Sequence, residues 1–225
     1  MARFSRLEVL QRMIEDGLVP IFYHPEVEVA QEVVRACARG GARCVEFTNR
    51  GDRAYQVFCE LTKWAEKELP QVALGVGSVI DAPTCALYIA SGADFIVGPV
   101  LDEGCARIAN RRKIPYLPGC GSATEISRAE ELGAEIVKIF PGGQVGGPAF
   151  VRAVRGPCPW TSIMPTGGVE PTEESLRTWF EAGAACVGMG SKLIRKDLLQ
   201  KRDFGAIEQA VARTLEIIRR IRDKR

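Results

Sequence analysis

Residues 73–99 read ALGVGSVIDAPTCALYIASGADFIVGP, and they contain the unit from which the fold is built. Two almost wholly apolar segments, 73–79 and 95–99, are typical of strands, and the stretch near 82–91 has helical spacing and ends at Gly92. Apolar strands that alternate with helices are typical of a parallel sheet that is covered by those helices. This stretch therefore predicts a strand–helix–strand unit of an α/β protein.

The same pattern recurs along the whole chain. A helix is predicted over about 5–16, before the first strand. The predicted strands are 18–23, 44–48, 73–79, 95–99, 116–120, the run at 134–141, 162–166 and 185–189. The predicted helices between and after them are 26–39, 52–68, 82–91, 102–112, 122–132, 148–155, 172–182 and 203–222. Eight such units predict a (β/α)8 TIM barrel with an extra N-terminal helix, as a single domain over 1–225. A doubly wound open sheet is the alternative.

Composition and charge narrow the possible partners. Hydrophobic residues make up 46% of the 225 residues and the formal net charge is +2, so neither nucleic acid nor a membrane is an expected partner. Residues 1–8 lack the apolar segment of a signal peptide. The eight cysteines form no C-x-x-C pair and suit reduced core residues of a cytoplasmic protein. The sequence has one histidine and no group of residues with the spacing of metal ligands, so we expect no metal site and no cofactor.

Lys138 lies inside an apolar run, Ile136-Val137-Lys138-Ile139-Phe140. An ammonium group in a buried strand loses its hydration, so burial favours the neutral amine and lowers the pKa of the lysine. A neutral amine attacks carbonyl groups and forms Schiff bases. Lys138 is therefore the candidate nucleophile. The alternative is a lysine whose stem packs while its charged head reaches water.

A carboxylate and several other polar residues stand in or just after the apolar strands. Catalytic groups of a TIM barrel lie where its strands end. Glu46 is flanked by apolar residues of the second strand, and a buried carboxylate is rare unless it is paired or functional. Burial would raise its pKa and suit it to proton transfer. The alternative is a structural ion pair between Glu46 and Lys138. The other polar candidates are Arg50, Ser78 and Thr166.

Glycines follow the last two predicted strands, as Gly167-Gly168 and as Gly190-Ser191. Loops at these places in a barrel often bind phosphate through backbone N–H groups, and glycine allows the anion to approach closely. Two tight turns are the alternative. The glycine-rich segment 141–148 lacks the G-K-[ST] ending of a nucleotide-binding loop, and it is interpreted as a flexible loop over the pocket mouth.

Taken together, these segments resemble the family of 2-keto-3-deoxy-6-phosphogluconate (KDPG) and 4-hydroxy-2-oxoglutarate (KHG) aldolases, which are class I aldolases. The resemblance covers nearly the whole chain. It rests on the order and spacing of six segments, at 45–50, 75–79, 118–125, 137–141, 165–169 and 187–191.

The resemblance implies a role for each candidate residue. Lys138 would form the Schiff base with the keto acid, and Glu46 would be the general acid and base. The keto-acid end of the substrate would be bound by Arg50, Ser78, Pro99, Phe140 and Thr166. A distal phosphate, where the substrate has one, would be bound by Gly167, Gly168, Gly190 and Ser191. The resemblance also implies a small-molecule keto-acid substrate and a homotrimer.

The sequence departs from the family pattern around the pocket. Asn49 stands where the family usually has Leu, and Ser78 stands where it usually has Thr. Gly98, Gly142-Gly143 and Lys192 replace Ser, Ala-Glu and Trp, respectively. These departures leave open which aldehyde is released and whether the substrate is phosphorylated.

Two other functions remain open at this point. A sugar-phosphate epimerase or synthase on a phosphate-binding barrel would explain the glycine loops but would give Lys138 no covalent role. A non-catalytic binding protein would bind pyruvate without turnover, and the combination of Glu46 with Lys138 argues against it.

Overall fold

The computed structural model describes residues 2–223, over which helices and strands alternate. The strands are β1 (Leu18–Phe22), β2 (Cys44–Thr48), β3 (Ala73–Gly77), β4 (Phe95–Val97), β5 (Tyr116–Leu117), β6 (Gly119–Cys120), β7 (Ile136–Ile139), β8 (Ser162–Pro165) and β9 (Val187–Met189). The helices are α1 (Arg6–Asp16), α2 (Val27–Arg39), α3 (Ala54–Glu68), α4 (Ala82–Ala90), α5 (Glu103–Arg112), α6 (Ala123–Glu131), α7 (Gly147–Arg155), α8 (Glu173–Glu181), α9 (Lys196–Lys201) and α10 (Phe204–Arg222).

Every ladder between named strands is parallel. One sheet has six strands in the order β5-β4-β3-β2-β1-β9, and the other has three in the order β6-β7-β8. An isolated parallel bridge between Thr166 and Gly188 connects the end of β8 to β9. The prediction of an α/β fold built on parallel strands is confirmed.

The predicted fifth strand, 116–120, is wrong in one respect, because it consists of two short strands. β5 pairs with β4 and β6 pairs with β7, and Pro118 lies between them. Proline has no N–H to donate to a neighbouring strand, although the Pro118 carbonyl accepts a bond from the Lys138 amide at 2.9 Å. The predicted eighth strand begins at Val187 rather than at 185, and the short helix α9 was not predicted.

The apolar core has two parts. The larger cluster lies between the strands and the outer helices, and the smaller one contains other strand residues, such as Val19 and Phe95, together with Val9, Leu10 and Met13 of α1. Helix α1 begins at Ser5, whose hydroxyl accepts the Glu8 amide at 3.2 Å. Because α1 contacts the beginnings of the strands, the opposite ends of the strands are free to carry polar groups.

Local signals in the sequence set where the helices begin. Ser122 caps α6 by accepting the Glu125 amide at 3.3 Å, while the Glu125 carboxylate accepts the amide of Gly121, the residue before the cap, at 2.8 Å. All eight cysteines are free thiols, and six of them are buried. Within residues 2–223, none of the helices combines the length and the apolar character needed to cross a bilayer.

Candidate active site

Lys138 lies on β7, between β6 and β8, and only 5% of it is exposed. Its register partners are Gly119 and Met164. Its Nζ lies 4.9 Å from the centroid of the Phe140 ring. Burial is the main cause that lowers the pKa of Lys138; the nearby Glu46 carboxylate raises that pKa and Arg50 lowers it. The amine is therefore held in an environment that favours its neutral form.

Glu46 lies on β2 and is 1% exposed. Burial is the main cause that raises its pKa, while the positive charges of Lys138 and Arg50 act in the opposite direction. Space for the carboxylate comes from Gly77 on β3, where an added Cβ would collide with Oε1 of Glu46. Glycine is needed at this position because the carboxylate occupies the room a side chain would take.

The two buried groups influence each other without a direct bond. The charge of Lys138 lowers the pKa of Glu46, and the charge of Glu46 raises the pKa of Lys138. Nevertheless, Oε2 of Glu46 is buried and has no hydrogen-bond partner among the residues that the structure describes. A buried oxygen without a partner is costly unless something binds to it. The arrangement is therefore not the hydrogen-bonded structural ion pair that the sequence left open.

A pocket of about 500 Å³ opens at the ends of the strands next to this pair. Its lining includes seven of the predicted site residues, which are Arg50, Phe140, Thr166, Gly167, Gly168, Gly190 and Ser191. The other four, Lys138, Glu46, Ser78 and Pro99, are not in this lining. Tyr23, Lys192 and Lys196 contribute to the lining although the sequence did not single them out as site residues.

Thr166 presents a second unpartnered polar atom to the pocket. It is 8% exposed, and its Oγ1 is buried without a hydrogen-bond partner among the described residues. A Cβ at Gly188, its bridge partner on β9, would collide with that oxygen. Thr48 on β2 also lines the pocket, but its Oγ1 already donates to the Phe22 carbonyl at 3.3 Å. Thr166 is thus the threonine whose hydroxyl is available to a substrate.

The two glycines after β8 have the left-handed backbone that their residue type allows, with φ of 86° at Gly167 and 79° at Gly168. The Gly168 carbonyl accepts a bond from Nε1 of the buried Trp179 at 3.3 Å. The amides of Gly142 and Gly143 donate to the carbonyls of Thr166 and Gly167 at 2.8 and 3.0 Å. The shape of this loop is therefore held by contacts outside the pocket.

The segment 141–148 lies against the loop after β8, which lines the pocket, although none of its own residues is in that lining. Its amides hold this neighbouring loop, and its position over the pocket mouth stays a prediction. The helix that follows, α7, begins within the segment, at Gly147.

The departure at Asn49 has a structural explanation. Its backbone N–H donates to the Gly77 carbonyl at 2.9 Å, and its Oδ1 accepts a bond from the hydroxyl of the buried Tyr88 at 2.9 Å. Asn49 precedes Arg50 directly, so these two bonds fix the start of the loop that carries the guanidinium. A leucine in this position could not make the side-chain bond.

The chain was compared with known proteins. The family described as KDPG and KHG aldolase matches residues 9–210. The chain belongs to the KDPG and KHG aldolase family. The 2-dehydro-3-deoxy-phosphogluconate aldolase of Pseudomonas aeruginosa is 32% identical over 213 residues, 94% of this chain and 93% of that protein. The enzyme of the same name from Treponema pallidum is 30% identical over 211 residues, 94% of this chain and 96% of that protein.

Solved structures agree with the family assignment. The KDPG aldolase of Legionella pneumophila, with pyruvate captured at low pH as a covalent carbinolamine intermediate, superimposes with a TM-score of 0.82. The match covers 90% of this chain and 96% of that one, and because the identity is 24%, this likeness concerns the fold alone. The chain is an enzyme of the aldehyde-lyase class, to which the named family members belong.

Of the three polar residues that the sequence missed, two carried a usable signal. Lys192 directly follows Gly190-Ser191 and was noted as a departure from the family pattern. Tyr23 directly follows β1, so its place at the end of a strand was the corresponding clue. Lys196 belongs to α9, which was not predicted, and nothing in the local pattern indicated that this helix returns to the pocket.

Proposed function

We propose that this aldolase uses class I chemistry, in which Lys138 forms a Schiff base with a 2-keto acid and the product is pyruvate. The substrate would be a 2-keto-3-deoxy sugar acid, which the relatives' names suggest is 6-phosphogluconate-derived, or 4-hydroxy-2-oxoglutarate. The observation that carries the proposal is the burial of Lys138 together with Glu46, beside Phe140 and Arg50 of the pocket lining. The carbinolamine captured with pyruvate in the Legionella enzyme supports it as an analogy.

The proposed reaction begins at the neutral amine. Lys138 attacks C2 of the keto acid, and loss of water gives an imine whose protonated form accepts electrons. Glu46 takes the proton of the C4 hydroxyl, directly or through a water molecule. The electrons of the C3–C4 bond move toward the iminium, which leaves an enamine on Lys138 and releases an aldehyde. Protonation at C3 and hydrolysis then free pyruvate and restore the amine.

The remaining site residues would hold the substrate in place. The guanidinium of Arg50 can bind a carboxylate through two hydrogen bonds. The buried hydroxyl of Thr166 has no other partner among the described residues, which suits it to the keto-acid end. Phe140 would pack on the substrate. Ser78 and Pro99 remain proposed contacts of a bound substrate. A distal phosphate would be held by Gly167, Gly168, Gly190 and Ser191.

We also propose that the chain forms one domain in which the two sheets close into a (β/α)8 barrel with α1 as an additional helix. The bridge between Thr166 and Gly188 joins the sheets on one side, and only Pro118 separates β5 from β6 on the other. A homotrimer is proposed from the family resemblance, and a cytoplasmic location is proposed from the eight free cysteines. Sedimentation equilibrium would measure the number of subunits, and cell fractionation would test the location.

Borohydride trapping tests the Schiff base directly. Incubation with pyruvate and borohydride should attach a reduced pyruvyl group to Lys138, and peptide mapping by mass spectrometry would locate it. Lys138→Ala should prevent labelling and abolish pyruvate release, while Lys63→Ala, a change at an exposed lysine of α3, should affect neither. Turnover by a protein that never becomes labelled would refute the proposal. The sugar-phosphate epimerase or synthase is not retained, because the matching family and the curated relatives are KDPG and KHG aldolases.

A further inference from the structure

The charges around the pocket have a single sign. Its lining contains three cationic side chains, Arg50, Lys192 and Lys196, and no Asp or Glu among the described residues. A concave site with charges of one sign attracts ligands of the opposite sign. The carboxylate of the proposed keto-acid substrate needs only one cation. The other two cationic side chains therefore have no role at the keto-acid end of the substrate.

The cations stand at two separate places. Arg50 follows β2, whereas Lys192 and Lys196 follow β9, and β1 lies between these two strands in the sheet. Lys192 comes directly after Gly190-Ser191, the pair whose backbone groups are proposed to face a distal anion, and Lys196 stands four residues further on. The pocket therefore has one cationic position for the keto-acid carboxylate and a second, remote cationic position.

The two lysines differ in how far their charges are already neutralised. Nζ of Lys192 lies 2.7 Å from Oε1 of Glu170, in an exposed ion pair. Lys196 makes no ion pair with any residue in the described part of the chain. Its neighbour Asp197 is bound by the Arg195 guanidinium at 2.7 and 2.9 Å. Lys196 thus carries a charge that no described carboxylate pairs with, at the wall of the pocket.

We propose that Lys196 determines substrate specificity by selecting keto acids with a second anionic group at the end remote from the ketone, above all a phosphate monoester. This inference rests on the proposed aldolase function. Backbone N–H groups orient such an anionic group through their dipoles. An ammonium group adds a net positive charge, which attracts a phosphate but has no opposite charge to attract on an uncharged hydroxyl end. Lys192 supports the same position more weakly, because Glu170 already balances it.

The test compares substrates that differ only at the remote end. The quantity measured is kcat/KM for 2-keto-3-deoxy-6-phosphogluconate divided by kcat/KM for the unphosphorylated acid, with 4-hydroxy-2-oxoglutarate as a substrate with a distal carboxylate. Lys196→Gln should lower this ratio about tenfold, mainly through KM of the phosphorylated substrate. Lys196→Arg should restore most of the ratio, and Lys192→Gln should lower it less. Lys201→Gln, at the other end of α9, is the matched control and should not change it.

A binding measurement separates failure of this inference from failure of the aldolase proposal. Inorganic phosphate titrated into the wild-type protein should bind more tightly than to the Lys196→Gln variant, whether or not any substrate is cleaved. If no substrate is cleaved but this difference appears, the aldolase proposal fails and the anion site stands. An unchanged substrate ratio in Lys196→Gln, an equal loss in Lys201→Gln, or equal phosphate affinity in both proteins would overturn the inference. If Lys196→Gln lowers kcat/KM for 4-hydroxy-2-oxoglutarate as much as it lowers kcat/KM for the phosphorylated acid, the site selects anions in general.

Discussion

Asp94 and Glu46 are both buried carboxylates, with 0% and 1% of the residue exposed, yet their surroundings differ. Asp94 accepts the Arg3 amide at 2.8 Å, the Leu74 amide at 3.0 Å and Nη2 of Arg3 at 3.1 Å. Glu46 has an oxygen without any partner among the described residues. Burial is the main cause that raises the pKa of both groups. Equal burial therefore coexists with unequal hydrogen bonding.

The difference in hydrogen bonding corresponds to the end of the strands at which each carboxylate lies. Asp94 comes just before β4. Its bond to the Arg3 amide connects the segment that precedes α1 to the region where the strands begin. Glu46 stands within β2, close to the pocket where the strands end. In the (β/α)8 barrel that we propose, the first end would contribute stability and the second end would carry the reaction. A satisfied carboxylate holds segments together, whereas an unsatisfied one retains the capacity to bind a proton or a substrate.

The largest expected effect is on activity. Glu46→Gln should lower kcat by about a hundred- to ten-thousandfold, because an amide cannot take the proton from the substrate hydroxyl. Its free energy of unfolding should not fall, since the change removes a buried charge without breaking a hydrogen bond. Pyruvate release assays and urea denaturation would measure the two quantities. Strong destabilisation with retained turnover would reverse the roles assigned to the two carboxylates.

The second effect is on stability. Asp94→Asn should reduce the free energy of unfolding by about 3 kcal/mol, because the amide nitrogen would face a buried N–H donor of Arg3 or Leu74. The kcat of the folded protein should stay close to that of the wild type. Urea titration and steady-state assays on the same samples would check this. Loss of activity at full stability would mean that Asp94 also serves the reaction.

The smallest effect concerns pH. Only the neutral amine attacks, so the rate of borohydride trapping with pyruvate should rise about tenfold per pH unit up to the pKa of Lys138, which burial lowers. Because the Glu46 carboxylate raises that pKa, Glu46→Gln should lower it and move the rising limb to lower pH. Asp94→Asn should leave the limb in place. A shift to higher pH in Glu46→Gln, or an equal shift in both variants, would contradict the proposed coupling.

The pattern of apolar runs and helical spacing predicted most of the elements, because each depends on its own residues. The errors arose where one residue or a distant contact decided. Pro118 divides the predicted fifth strand because it lacks the N–H that a ladder needs. The short helix α9 has no buried residue, and so it lacked the apolar periodicity that reveals a helix.

In the candidate site, too, some features depend on local residues and others on distant contacts. A charge within an apolar run was enough to indicate Lys138 and Glu46, but Asp94 also lies between apolar residues, Ala93 and Phe95. Local sequence could not distinguish the two carboxylates. The partners of Asp94 come from positions 91 and 20 residues away, and the charge that acts on Glu46 comes from Lys138 on another strand.

Short-range patterning thus established the parallel α/β organisation and identified the charged residues that become buried, since burial follows from the run in which each residue lies. Folding in three dimensions brought Lys138 and Glu46 next to one pocket, satisfied Asp94 at the opposite end, and placed Lys196 at the pocket wall. Hydrogen bonding and charge act over a few ångströms in space. For this reason their outcome depends on which distant segments meet rather than on neighbours along the chain.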